Sequence, residues 1–119
     1  MNYNSITIIG RIGRDPEWKN VGPGLCKFSV AVSRNFKKGD EWVQETDWFD
    51  VSLWGDHGKR MMEKLGKGDL VMATGPFESR KHEDKVYWTL KAQKVVKLEK
   101  SEPRPAAVVA DDEDPELPW

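Results

Sequence analysis

The stretch Glu45-Thr46-Asp47-Trp48-Phe49-Asp50-Val51-Ser52-Leu53-Trp54-Gly55 decides how the rest of this chain is read. A strand sends successive side chains to opposite faces, so the stretch sorts into two sets. Phe49, Val51 and Leu53 make an apolar set, the pattern of a core face. Trp48, Asp50, Ser52 and Trp54 make the other. Large rings on a half-polar sheet face usually meet something flat or apolar. Two readings fit this strand alone: a second buried face, in a core or at a subunit contact, or a platform for a ligand.

On the N-terminal side the pattern is a meander. Ile6, Ile8 and Ile12 share a parity and indicate a first strand, which Gly10 and Gly13 interrupt with bulges or a bend and Asp15-Pro16-Glu17 ends. Val21-Gly22-Pro23-Gly24 is a turn. Leu25 to Phe36 is a second strand, with Phe28, Val30 and Val32 alternating with Ser29, Ala31 and Ser33. The polar loop Lys37 to Glu41 leads into a third, Trp42 to Trp54. On the C-terminal side, Asp56 to Leu65 reads as a short helix capped by Asp56, with Met61, Met62 and Leu65 on its apolar side and Gly66 just past its end. Asp69 to Lys81 is a fourth strand marked at Gly75-Pro76, His82 to Lys85 a turn, and Val86 to Leu98 a fifth strand. Trp88, Leu90, Ala92, Val96 and Leu98 share its core parity, so Trp88 reads as packing. Tyr87, Thr89, Lys91 and Gln93 share the other.

Three strands, a short helix and two strands give an all-β chain with one helix, and fit a five-stranded closed Greek-key barrel, the OB-fold. The 119 residues are expected to form one such domain over 1–100. Residues 101–110 read as a short linker, and Asp111 to Trp119 as an acidic, disordered tip. Charge divides along the same line. Residues 1–100 hold 18 Lys and Arg against 14 Asp and Glu, whereas 101–119 hold one Arg against six acids. A mildly basic body with an acidic tail is two functional parts, although such tails also serve solubility alone.

Composition excludes several classes. No apolar run approaches the ~20 residues of a membrane span. Met1 to Ser5 shows no basic region leading into an apolar one, so no secretion signal is expected. Cys26 is the lone cysteine, which fits a reducing, cytoplasmic setting. His57 and His82 have no metal-site spacing, and no metal or other cofactor is expected. Asp47 and Asp50, three apart on a strand, point to opposite faces and cannot converge for catalysis, so a binding protein is expected rather than an enzyme.

Arg11, Arg14, Arg34, Lys37, Lys38, Arg80, Lys81 and Lys85 gather at the expected loops and bends. Cations neutralise phosphates, and exposed rings such as Trp48 and Trp54 stack on unpaired bases at about 1–3 kcal/mol each. This favours the platform reading, with single-stranded nucleic acid as ligand. An OB-fold module for RNA or for protein contacts, in translation or a primosome, is the alternative.

The chain resembles the bacterial and phage single-stranded DNA-binding proteins over nearly its whole length. The resemblance is carried by Gly10–Glu17, Phe28–Ser33, Thr46–Gly55, Leu65–Val71 and the acidic end Asp111–Trp119, whose order and spacing together make it specific. It implies an OB-fold, a homotetramer, and coating of single strands with little sequence preference in replication, recombination and repair. By position it puts the stacking aromatics on Phe36, Trp48 and Trp54, and a fourth on His82. A histidine there offers less surface, so Tyr87 is a candidate to share that contact. Asp50 is a further departure, because many members carry a basic residue there, and pairing with a nearby cation is expected. Trp18 and Trp42 are left open between packing, interface and accessory stacking.

The resemblance also implies that the tip recruits genome-maintenance proteins. Asp111, Asp112, Glu113, Asp114 and Glu116 would steer encounter, Pro115 and Pro118 would limit the entropy lost, and Leu117 and Trp119 would anchor. Trp119 stands where the family usually has phenylalanine. The first strand, as a sheet edge, is expected to lie at a subunit contact through Asn4 to Ile9.

Overall fold

A computed structural model describes residues 1–101; the linker from 102 onward and the tip at 111–119 lie outside the described residues. The elements are β1 (Ile6–Ile12), β2 (Glu17–Lys19), β3 (Leu25–Lys38), β4 (Glu41–Trp54), α1 (Gly55–Lys64), β5 (Leu70–Gly75), β6 (Phe77–His82), β7 (Lys85–Lys91) and β8 (Lys94–Glu99).

The backbone of the molecule is the β3–β4 hairpin, paired in unbroken register from Leu25↔Trp54 to Lys38↔Glu41. Gly39 turns it with φ +68°, as the first central residue of a two-residue loop requires. The sheet order is β6-β7-β4-β3-β1-β5-β8, with β2 added to β3.

Two expected strands are each broken in two. The fourth breaks at Pro76: β5 pairs with β1 and β8, whereas β6 pairs with β7. The fifth breaks at Ala92-Gln93, so β7 lies parallel to β4 and β8 antiparallel to β5. Proline cannot donate to a ladder, and each break lets one chain segment serve two walls of the core. The hydrogen-bonded sheet is consequently an open path from β6 to β8, not the closed ring expected. The second break also shifts parity: Val95, not Val96, is buried.

β1 is another correction. It lies between β3 and β5 rather than at an edge. It pairs with β5 from Ile6 to Arg11 but registers with β3 only at Arg11 and Ile12. Gly10 does not interrupt the strand. A Cβ there would lie 2.2 Å from the Ala31 carbonyl oxygen, so glycine lets β1 cross β3 at close range. Asn4 is tied within the chain, donating to Phe77 O (2.8 Å) and accepting from Phe77 N (3.1 Å).

The core is formed by Ile8, Ile12, Cys26, Phe28, Val30, Val51, Leu53, Val71, Ala73, Leu90 and Val95, closed at one end by Met61 and Leu65. Burial pushes the Cys26 thiol up to about 11, which makes it an inert packing group. The helix starts one residue earlier than expected. Trp54 is its N-cap with no side-chain bond, and Asp56 sits in the first turn, where a negative charge favours the helix N-terminus without capping it. Gly66 is not a left-handed terminator; its N–H donates to Asp69 Oδ2 at 2.9 Å.

Candidate nucleic-acid interface

Alternation along β4 sorts its residues as expected. Val51 and Leu53 are fully buried and Phe49 packs against the core. Trp48 is 55% exposed on the opposite face, with Trp54 partly exposed. Register extends this outer face sideways. Lys27, Ser29 and Ala31 of β3 stand opposite Ser52, Asp50 and Trp48. Thr89 and Lys91 of β7 stand beside Asp50 and Ser52 on the other side. Because β4 and β7 run parallel and pair only over three residues, the β3–β4 and β6–β7 hairpins project from this junction as two arms on the same side of the body.

Trp48 lies over Gly13: a Cβ at that position would be 2.4 Å from Cζ3 of the ring. The missing side chain therefore seats the indole against the segment after β1, and Arg14 follows directly. Arg14, Asp15, Glu17, Lys27, Phe28, Ser29 and Asp50 line a recess of about 250 Å³. Asp50 was expected to pair with a cation. Instead its Oδ1 accepts a hydrogen bond from Ser29 Oγ at 3.3 Å, with Arg14 and Lys27 lining the same recess.

The β6–β7 arm divides by face. Arg80 pairs with Tyr87 and His82 with Lys85, on the face continuous with Thr89 and hence with Asp50 and Trp48. Tyr87 is 49% exposed. Lys81 pairs with Val86 on the reverse face, which also carries Trp88. Trp88 packs as expected but is not buried. It stacks on Phe77 (centroids 5.1 Å, 25°) but is 51% exposed, because the arm extends past the core that its parity would otherwise enter. Trp18 is partly buried and packs against the core, with Nε1 donating to Asn20 Oδ1.

Three other expected site residues are not gathered with Trp48. Arg11 donates from Nη1 to Gly68 O (3.0 Å) and from Nη2 to Glu99 Oε1 (2.7 Å), which ties β1 to the end of β8. Arg34 forms ion pairs with Glu45 (2.8 Å) and Asp47 (3.1 Å) and lies 5.9 Å over the Phe36 ring. The adjacent carboxylates raise the pKa of its guanidinium. Phe36 faces Val43, on the side of the β3–β4 arm opposite to Trp48. Lys37 and Lys38 are exposed at the arm's tip. Lys27 and Lys91 join the face without having been singled out. The parity of each was readable, but the register that brings both beside Ser52 was not.

Among the solved structures that share this fold are these two. One is described as the Plasmodium falciparum SSB complex with ssDNA: TM-score 0.75, 22% identity, covering 83% of this chain and 97% of that one. The other is a small single-stranded DNA-binding protein from Streptomyces coelicolor: TM-score 0.68, 18% identity, covering 82% and 94%. The architecture is thus of the OB-fold class. At the level of sequence, the model of the single-strand binding protein family matches residues 3–100, and the chain belongs to that family. A single-stranded DNA-binding protein of Treponema pallidum is 39% identical over 84 residues, covering 69% of this chain and 48% of the relative. Single-stranded DNA-binding protein 1 of Synechocystis sp. is 35% identical over 100 residues, covering 82% and 80%. The chain therefore spans about half the length of the first relative and most of the second.

Proposed function

We propose that this chain binds single-stranded DNA with little sequence preference, by stacking bases on Trp48 and Trp54 and neutralising phosphates with lysines and arginines of the same face. The observation that carries this reading is Trp48: half exposed, seated on Gly13, and on the same sheet face as Lys27 and Lys91. Rings have no preference among bases, and cations none among phosphates, so the site chemistry is sequence-tolerant. It is a binding function, with no reaction assigned to any residue. No helix among the described residues is long and apolar enough to cross a membrane, and the proposed place of action is the cytoplasm, on the nucleoid or on phage DNA.

The finer parts of the proposal are assembly and recruitment. Assembly is as a homotetramer, with a contact along the part of β1 that β3 does not cover, where Ile9 is 52% exposed. Recruitment of replication, recombination and repair proteins is through residues 111–119. The test of the core proposal is a fluorescence titration with single-stranded DNA, duplex DNA and RNA. Single-stranded DNA is expected to quench strongly and duplex DNA weakly. Trp48→Ala and Trp54→Ala should each weaken binding by about 1–3 kcal/mol. Equal affinity of a folded double variant would refute the platform, and preference for RNA would favour the translation reading.

A further inference from the structure

Trp42 is 72% exposed, more than any other tryptophan among the described residues. It lies on β4 six residues before Trp48, which lies six before Trp54, so all three share one face at intervals of about 20 Å along the strand. The surface between Trp42 and Trp48 is made of Gln44 and Thr46 on β4 and of Ser33 and Asn35 on β3. Ser33 and Thr46 hydroxyls bond each other at 3.0 Å. Lys37 stands directly opposite Trp42.

The corridor is therefore polar, carries one cation and contains no acid. The acids on the paired strands of the arm, Glu41, Glu45 and Asp47, fall on the reverse face, where Glu45 and Asp47 pair with Arg34, while Asp40 is exposed in the turn at the tip. A solvated hairpin has no reason to segregate charge this way. A face that takes a polyanion has one, since each carboxylate on it would repel phosphate. Half or more of the Trp42 ring surface is left to solvent, and it offers a flat surface at the end of a track continuous with Trp48.

We infer that Trp42 and Lys37 form an additional single-stranded DNA subsite at the tip of the β3–β4 arm, Trp42 stacking on a base and Lys37 meeting the neighbouring phosphate. This rests on the binding function proposed above and extends its path beyond Trp48. The face winds with the right-handed twist of the ribbon, so a strand following it wraps the arm and leaves the body at its tip.

The experiment is a length series of oligo(dT) titrated against the intact protein, Trp42→Ala, Trp42→Phe and Lys37→Gln, each checked for mass in solution. Short oligomers should bind the intact protein, Trp42→Ala and Trp42→Phe alike. Longer ones that reach the tip should bind Trp42→Ala about tenfold more weakly than the intact protein, with Trp42→Phe retaining most of the affinity. Lys37→Gln should lower the slope of log K against log salt by about 0.7 for the long oligomers only. If the intact protein binds no oligo(dT), the binding proposal itself fails and takes this inference with it. If the intact protein binds and Trp42→Ala matches it at every length, the subsite is overturned and the Trp48 platform stands. A lower mass for Trp42→Ala would assign the ring to a subunit contact and equally overturn the subsite.

Discussion

Asp69 is a carboxylate only 3% exposed. Burial is the largest single influence on it and pushes its pKa up. Hydrogen bonds from the backbone N–H groups of Ser101 and Gly66, together with Lys97, outweigh burial, and the pKa ends below its ordinary value. A depressed carboxylate pKa stabilises the fold above the unfolded-state pKa of about 3.9, and that contribution disappears as pH falls further through the folded-state value. Thermal unfolding from pH 7 to pH 3 should show this loss, and Asp69→Asn should be less stable at neutral pH with a flatter acid limb. Asp50 gives a second expectation at this scale. It puts a negative charge on the face that carries Trp48. Asp50→Lys is expected to tighten single-stranded DNA binding and to steepen the salt slope by about 0.7, measured by titration at several ionic strengths. An unchanged slope would mean that the strand passes clear of Asp50.

The arms are the elements whose two sides differ most. On the β6–β7 hairpin, Arg80 and Lys81 are adjacent in sequence but point to opposite faces, Arg80 beside Tyr87 and Lys81 beside Val86. Arg80→Gln is therefore expected to reduce the salt slope by about 0.7, and Lys81→Gln to leave it nearly as it was. Equal effects would show the strand wrapping both sides of the arm. Trp88 fits the same division. It lies on the reverse face, held by Phe77, which in turn contacts Phe49 at 6.1 Å, so an aromatic stack runs from the core out into the arm. That stack gives a two-stranded element the side-chain support that an isolated hairpin lacks.

For the whole molecule, the governing feature is the charge difference between the basic body and the acidic segment after residue 100. Like the ligand, that segment is a polyanion, and it is expected to compete for the cationic face when no DNA is bound. Removing residues 102–119 should raise the apparent DNA affinity at low salt, and the difference should vanish at about 1 M salt, where charges are screened within about 3 Å. A tail acting only as a solubilising brush would leave the affinity unchanged at every salt concentration. Light scattering on the same two proteins tests assembly. A tetramer is expected for both, because the proposed contact lies on β1 and not in the removed segment.

Side-chain periodicity is a local property of the chain, and what depends on it was legible from sequence: the two faces of β4 and the meander before it from period two, and the short helix at Met61 and Leu65 from helical spacing, with the turn at His82 to Lys85 marked by its polar residues. The same holds for the tryptophans' sharing of one face, since parity within a strand needs no knowledge of any other strand. Parity between strands is different, because register decides it. Phe36 and Trp48 are both even-numbered, yet the pairing Phe36↔Val43 sends Phe36 to the other side of the sheet. Arg11 carries no local sign that Gly68 and Glu99, 57 and 88 residues away, will hold its guanidinium. The breaks at Pro76 and Ala92-Gln93 likewise follow from the need to wall a small core from several sides, and not from a preference of those residues alone. The sequence by itself determined which residues could stack and which could neutralise. Only the tertiary structure decided which of them share a surface, because that depends on pairings between segments far apart in the chain.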